Sequence, residues 1–507
     1  MSKRLCIYAT WVGIILLSLA LRLPNLGNRP IHADEATGAR ILSNQLQGDT
    51  YTFNPQHFHG PLLSLTSAPL ARMRGESNWS ELTKSTLRLG PVIAGLLLVL
   101  VPLLWLRQIG QLGALTAAAL LASSPLLVYY NRMYIHESLL ALFALLAATA
   151  IHRLTISPTK RMGVLAGLSI GLMFATKETF AISILSWLPA AALCCWLQNQ
   201  HAAPRALLLK TQSYLAPALP LTLTAAVTAI YFYSDGLRQP QGMVDAVRTY
   251  FVYETTEGHE KGGGYYLHLM LWPKQALGIW WSEAVVAILA VIACAATYLN
   301  PARLSAVLFL ASATIGHFVI YSLIGYKTPW LMLVPWAHAC LLAGCALNSI
   351  HRLKPATRVL LTALILGGLA YQTKQSIAAS GRFASDARNP YAYVPTSKDM
   401  ETLQTWLDQL EAELPDRTLN PIAVVGSEYW PLPWYLRNSD TIGYWPEPTH
   451  EMQSHPIVLA MPGQTAATDT LLQHSHARLP RGLRANVPVI LYLRNDIWNT
   501  WTQPLKE

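Results

Sequence analysis

The sequence predicts an α-helical polytopic membrane protein of about eleven transmembrane helices, followed by a small extracytoplasmic α/β domain. Three observations carry this fold class. Hydrophobic residues make up 52% of the chain and charged residues only 13%, against roughly a quarter charged in a soluble domain. Apolar runs near the ~20 residues that cross a bilayer recur through the first three quarters of the chain. Lys and Arg gather in alternate short loops, as they do on the cytoplasmic side of membrane proteins.

The runs lie at about 5–23, 87–106, 112–130, 138–151, 162–176, 179–197, 213–232, 276–299, 304–324, 329–349 and 358–372. The fourth and fifth are short for a full crossing. Lys3 and Arg4 precede the first run and place the N-terminus in the cytoplasm. The inside loops then carry Arg107, then Arg153, Lys160 and Arg161, then Arg205 and Lys210, then Arg303, and last Arg352, Lys354 and Arg358. The net charge of +10 is therefore topological, and a nucleic-acid partner is not expected. The first run is basic and then apolar, but Arg22-Leu23-Pro24 is a poor cleavage site, so it is read as a span. All six cysteines fall within or at the ends of apolar segments, which leaves no disulfide framework and no Cys-based zinc site.

The expected division is a transmembrane domain over 1–372, with a long outside loop at about 24–84, and an outside domain over 373–507. A helix near 398–414 and short apolar runs at 422–425, 456–460 and 487–493 give the latter its α/β reading.

The first outside loop holds the strongest chemical signal, the adjacent acids of Ile31-His32-Ala33-Asp34-Glu35. Carboxylates beside a bilayer lose solvation and are kept there for a reason. Residues 35–46 have the apolar spacing of a short surface helix, which puts Asp34 near its N-terminus. One reading makes Asp34 an N-cap, without a capping box because Thr37 stands at N3. The other makes it a general base, held ionised by the helix dipole. Asn54-Pro55-Gln56-His57-Phe58-His59-Gly60-Pro61 follows. His57 and His59 satisfy backbone groups, bind substrate, or ligate a divalent cation with Asp34 or Glu35.

Three further outside helix ends each offer a cation. These are Arg132, close to His136 and Glu137; Lys177, beside Glu178; and Lys327, in Tyr326-Lys327-Thr328-Pro329-Trp330. Each alone reads as structural, but three on one face suggest an anion site, with Arg bidentate and Lys a point charge. The loop at about 234–275 carries Glu257-Gly258-His259-Glu260-Lys261-Gly262-Gly263-Gly264, read as a substrate cover or a flexible connector.

These residues together resemble the glycosyltransferase C superfamily, in particular its branch of protein O-mannosyltransferases and lipid A aminoarabinose transferases. The resemblance rests on His32-Ala33-Asp34-Glu35, His59-Gly60-Pro61-Leu62, the stretch from Gly110 through Ser124-Pro125 to Tyr130-Asn131-Arg132 and Glu137, and Ala166-Gly167-Leu168 through Thr176-Lys177. Tyr326–Trp330 and Tyr393–Ser397 add a likeness to a subgroup labelled flippase activity-associated. The resemblance implies a sugar donor linked to polyprenyl phosphate and inverting transfer, at the outer membrane face, to a hydroxyl of a protein, lipid or glycan. It implies Asp34 as the base with Glu35 its neighbour, and Arg132, Lys177 and Lys327 near the donor phosphate. His32, His57, His59, Glu137 and Tyr326 are left to bind or support substrate, and no metal ligand set is assigned. A divalent cation stays an open alternative, because members of the superfamily differ in needing one. A lipid-linked sugar flippase or a non-catalytic glycan scaffold, the latter binding through Trp430, Trp434 and Tyr435, are the competing readings.

Overall fold

The computed structural model describes residues 3–199, 204–253, 258–297, 303–415, 418–439 and 441–502. Glu257 and the side chains of Lys3, Arg205, Lys210 and Arg352 lie outside the described residues.

Every expected apolar run meets helix. In chain order the bundle is built from α1 (Lys3–Arg22), then α2 (Ala33–Leu46) and α3 (Leu62–Met73) in the first loop, then α4 (Lys84–Leu100), α5 (Leu106–Ser123), α6 (Pro125–Asn131), α7 (Glu137–Ile156), α8 (Lys160–Thr176), α9 (Phe180–Asn199) and α10 (Pro204–Tyr233). After α11 (Gln241–Val252) and α12 (Tyr265–Met270) come α13 (Ala284–Ala296), α14 (Leu304–Leu323), α15 (Leu333–Gly344) and α16 (Pro355–Ser380). The runs expected to be short extend to 20 residues in α7 and 17 in α8. Seven stretches of the described residues are long and apolar enough to cross a membrane, one of them the 40-residue Lys84–Ser123. The protein is thus a multi-pass membrane protein.

Two runs are broken by local chemistry. The third stops at Ser124, whose backbone leaves the helix and whose hydroxyl accepts from Leu127 N, with Pro125 opening α6. The eighth begins as a hairpin, β1 (Lys274–Ala276) and β2 (Ile279–Trp281), turned by Leu277 and Gly278 at positive φ.

Burial sorts the helices into layers. The stretch Pro329–Leu347, which contains α15, is fully enclosed, whereas α10 is almost bare and presents Leu215, Leu219, Leu223 and Val227 outward, as a lipid-facing helix does. α10 is held by α8 through a stripe of Gly163, Gly167 and Gly171. A Cβ on Gly167 would collide with the carbonyl of Leu221 and the hydroxyl of Thr224, so only glycine lets these backbones approach.

Beyond α16 lies the small sheet domain. α17 (Asp399–Glu413) precedes β3 (Ile422–Val425), β4 (Ile442–Trp445), β5 (Ile457–Ala460), β6 (His476–Arg484) and β7 (Val487–Arg494). The strand order is β4-β3-β5-β7-β6, with β3 parallel to both β4 and β5, and β7 antiparallel to β5 and β6. Strands β4 and β6 were not expected from the sequence. Both are edge strands, and β6 carries Arg478, Arg481 and Arg484 around Pro480, so no apolar run marks it.

The sheet domain grips the bundle through the segment that leads into it. Tyr129 and Tyr130 donate to the carbonyls of Ala384 (2.7 Å) and Tyr391 (2.6 Å), and Thr396 donates to Ile31 O (2.6 Å). Tyr435 joins Ile31 N to Glu401, which also pairs with Lys84 at 2.7 Å.

Candidate active site

Asp34 occupies the second position of α2, not the cap. His32 is the N-cap: its Nδ1 accepts from Asp34 N (3.2 Å), and Glu35 at N3 accepts from His32 N (3.0 Å). A capping box is therefore present, shifted two residues from the sequence reading, with an imidazole nitrogen in place of the usual hydroxyl. His32 Nε2 lies 3.2 Å from Tyr393 O, so the tautomer with hydrogen on Nε2 satisfies both contacts.

Glu35 is fully buried and faces away from open space. Arg88 donates to both its oxygens (2.7 and 2.8 Å), Tyr134 N donates at 2.8 Å, and Arg29 stands 3.7 Å off. Burial alone would raise the Glu35 carboxyl, but Arg88 and Arg29 outweigh it and hold it well below the usual carboxylate range. Grouping Glu35 with Asp34 as a chemical pair is corrected here: Glu35 anchors the helix that presents Asp34. The readable signal was Arg88, a charge inside an apolar span that demands a partner.

The Asp34 carboxylate is half exposed, at 53%, and makes no hydrogen bond among the described residues; the His32 ring nitrogen Nδ1 lies 3.8 Å away. It lines a cavity of about 610 Å³ that is also lined by His59, His136, Glu137, Lys177 and Glu178. Lys177 Nζ donates to Glu137 at 2.6 Å, and His59 Nδ1 meets Glu178 at 3.0 Å. Burial would raise Glu178, yet His59 and Lys177 hold it down to about 2. Burial would lower Lys177, yet Glu137 and Glu178 push it up, so the ammonium is secure. His136 is driven well below its ordinary value by burial, with His59 and Lys177 adding to it. Gly60 places this wall, because a Cβ there would strike the carbonyl of Ala175 at the end of α8.

Aromatic residues complete the cavity. Tyr326 is pushed up to about 12 by burial, offset in part by Lys177 and reinforced by Asp34 and Glu137. Tyr253 stacks on His59 at 5.6 Å, and Trp430 reaches in from the sheet domain. Tyr393 sits over the Asp34 end, its hydroxyl 2.5 Å from His259 Nδ1. Tyr253 went unrecognised as a cavity residue because nothing in the chain order brings it near Asp34.

Two of the three expected cations are elsewhere. Arg132 donates to the carbonyls of Leu21, Arg22, Pro24 and Asn25, closing the end of α1, and does not line the cavity. Lys327 is buried and donates to Ile324 O, while its main-chain N donates to His259 O. Orphan carbonyls at helix ends attract such side chains, and sequence alone gives no side-chain direction. Trp434 and Tyr435 are likewise buried and hold the sheet domain together. His57 is exposed at the cavity mouth. The described residues contain no group of three His, Cys, Asp or Glu able to hold a metal. The Lys177 ammonium, set between Glu137 and Glu178, already supplies a positive charge to this wall.

A family model described as dolichyl-phosphate-mannose-protein mannosyltransferase matches residues 59–232. No curated protein matches by sequence. Among solved structures, the chain resembles ArnT from Cupriavidus metallidurans in the apo state, with a TM-score of 0.60 and 14% identity over 96% of this chain and 98% of that one. It resembles the same protein bound to undecaprenyl phosphate, at 0.58 and 15% over the same shares. It also resembles the archaeal oligosaccharyltransferase AglB from Archaeoglobus fulgidus in complex with an inhibitory peptide and a dolichol-phosphate, at 0.57 and 13%, covering 90% of this chain and 69% of that one.

Proposed function

We propose that this chain, a member of the glycosyltransferase C superfamily by its fold and by its matching segment, is a membrane glycosyltransferase that moves a sugar from a polyprenyl-phosphate donor to an acceptor hydroxyl. The observation that carries the reading is the pairing, in one cavity, of an uncommitted Asp34 carboxylate with the buried Lys177 ammonium.

Asp34 takes the proton from the acceptor hydroxyl as its oxygen bonds to the anomeric carbon. The bond from that carbon to the phosphate oxygen breaks on the opposite side, and polyprenyl phosphate leaves carrying the negative charge. One displacement inverts the anomeric centre, without the second flanking carboxylate of a glycoside hydrolase. Lys177 stabilises the developing phosphate charge in a partly dry cavity, where a fixed cation acts strongly. Glu137 and Glu178 hold that ammonium charged and in place; His59 orients Glu178. His32 sets the start of α2, and Tyr326 offers a neutral hydroxyl to the sugar.

One similar structure is bound to undecaprenyl phosphate, the kind of lipid phosphate that would leave in this reaction. The basic alternate loops support a cytoplasmic N-terminus and an outside sheet domain, and with them transfer on the outer face. The acceptor is a protein, lipid or glycan. A flippase would need a charged path through the midplane, whereas Asp34, Lys177 and their neighbours cluster at helix ends.

The test is Asp34→Asn in purified protein with a radiolabelled polyprenyl-phosphate sugar. Transfer is expected to fall at least a hundredfold with protein level and thermal stability unchanged. Unchanged transfer would remove Asp34 from the mechanism, and lipid movement without transfer would favour the flippase.

A further inference from the structure

A second cavity lies in the sheet domain, away from Asp34. It has a volume of about 410 Å³, within the roughly 300–1,000 Å³ of small-ligand clefts. It opens at the carboxyl ends of the three parallel strands. Gly426 to Tyr429 follow β3, Tyr444 to Pro446 end β4, and Met461 to Gln464 follow β5. The chain goes from β3 to one neighbour and then crosses back to the other, so the strand order reverses at β3. In open α/β sheets such a reversal leaves a crevice where ligands bind.

The lining has a distinct chemistry. Tyr429 and Tyr444 lie 4.8 Å apart between ring centroids, and the indole of Trp445 lies flat over Gly443, where any Cβ would collide with it. Tyr444 is 41% exposed, a large aromatic face left to solvent on a folded strand. Around these rings stand Ser427, Glu428 and Gln464, whose side chains make no hydrogen bond among the described residues. Aromatic faces receive the C–H face of a pyranose ring, and a hydroxyl, a carboxylate and an amide pair with its hydroxyl groups. No Lys or Arg lines the crevice, and the nearby Arg484 is turned to the carbonyl of Glu428 (3.0 Å), so the lining favours a neutral polyol over an anion.

The crevice shares a wall with the first cavity. Tyr429 lines the crevice, its neighbour Trp430 lines the Asp34 cavity, and the two rings stack at 6.4 Å. We infer that the crevice at the ends of β3, β4 and β5 is a carbohydrate subsite that holds a pyranose ring of a glycan acceptor next to the transfer cavity. Its role as an acceptor site rests on the proposed transferase activity; its saccharide binding does not.

The test uses the full-length protein in nanodiscs, with mannotriose, maltotriose and chitotriose as probes and an uncharged decapeptide as comparison, followed by saturation-transfer NMR and calorimetry. Wild type is expected to bind at least one trisaccharide, Tyr444→Ala to weaken it about tenfold or more, and Asp34→Asn to bind as wild type. In transfer assays with a glycan acceptor, Tyr444→Ala should raise the acceptor KM and leave kcat in place. Gly443→Ala, which displaces Trp445, should weaken binding similarly. Absence of trisaccharide binding at millimolar concentration, equal binding by Tyr444→Ala, or binding of the peptide alone would each overturn the proposal. If Asp34→Asn still transfers sugar while Tyr444→Ala loses the saccharide, the transferase mechanism falls and the subsite stands.

Discussion

Replacing Arg88 by Met tests how α2 is held. Arg88 makes five hydrogen bonds: two to Glu35 and three to the carbonyls of Leu26, Arg29 and Pro30. Its loss leaves Glu35, fully enclosed, with only Arg29 at 3.7 Å as a charged partner. Breaking a buried pair from one side costs about 3–5 kcal/mol, because the remaining charge is unpaired. Taking about 4 kcal/mol, the folded-to-unfolded ratio falls about a thousandfold, and the midpoint of thermal aggregation drops by about 5–10 °C. The assay is the monodisperse fraction on size exclusion after heating in detergent. Arg88→Met with Glu35→Met removes both charges and should recover to within about 1.5 kcal/mol of wild type, since an apolar pair substitutes for a buried ion pair. A double variant as unstable as Arg88→Met would refute the reasoning and assign the loss to packing.

Lys177→Met should lower kcat/KM about a hundredfold and destabilise through the orphaned Glu137; adding Glu137→Gln should restore thermal stability without restoring transfer. Glu178, held down to about 2 in the fold, contributes stability fully above its unfolded value near ~4.3 and loses it as pH falls toward 2. Thermal midpoints across that window should decline for wild type and less steeply for Glu178→Gln. Gly167→Ala, which forces α8 from α10, should lower the thermal midpoint measurably, while Gly13→Ala, where a Cβ meets nothing within 4 Å, should leave it unchanged.

Apolar length was legible because crossing a bilayer sets the number of residues directly, and every expected run contains helix, the eighth only after its hairpin. Where a run broke, as at Ser124-Pro125, the breaking residues were visible but their effect depended on Leu127 N donating to the Ser124 hydroxyl. Side-chain direction was not legible. Arg132 and Lys177 look alike as cations at outer helix ends, yet one turns to the carbonyls closing α1 and the other to Glu137. The capping box at His32 was missed because a histidine caps only when its ring nitrogen is aimed by something distant, here Tyr393 O. β4 is four residues with a glycine among them and β6 is interrupted by arginines and Pro480, so neither separates from loop, and their pairing to β3 and β7 is what makes them strands.

The tether between His32 and Tyr393 spans 361 residues, and that between Ile31 and Thr396 spans 365. At ribosomal speeds of roughly 5–20 residues per second, the partner of the His32 ring emerges about 20–70 s after it. The loop bearing Asp34 therefore has its early braces, Arg88 on Glu35 and Glu35 on His32 N, but gains the Tyr393 contact only once about three quarters of the chain has been made. A chain stopped before Tyr393 would lack the contacts from Tyr393 and Thr396 to the loop bearing Asp34, so that loop is completed late in synthesis.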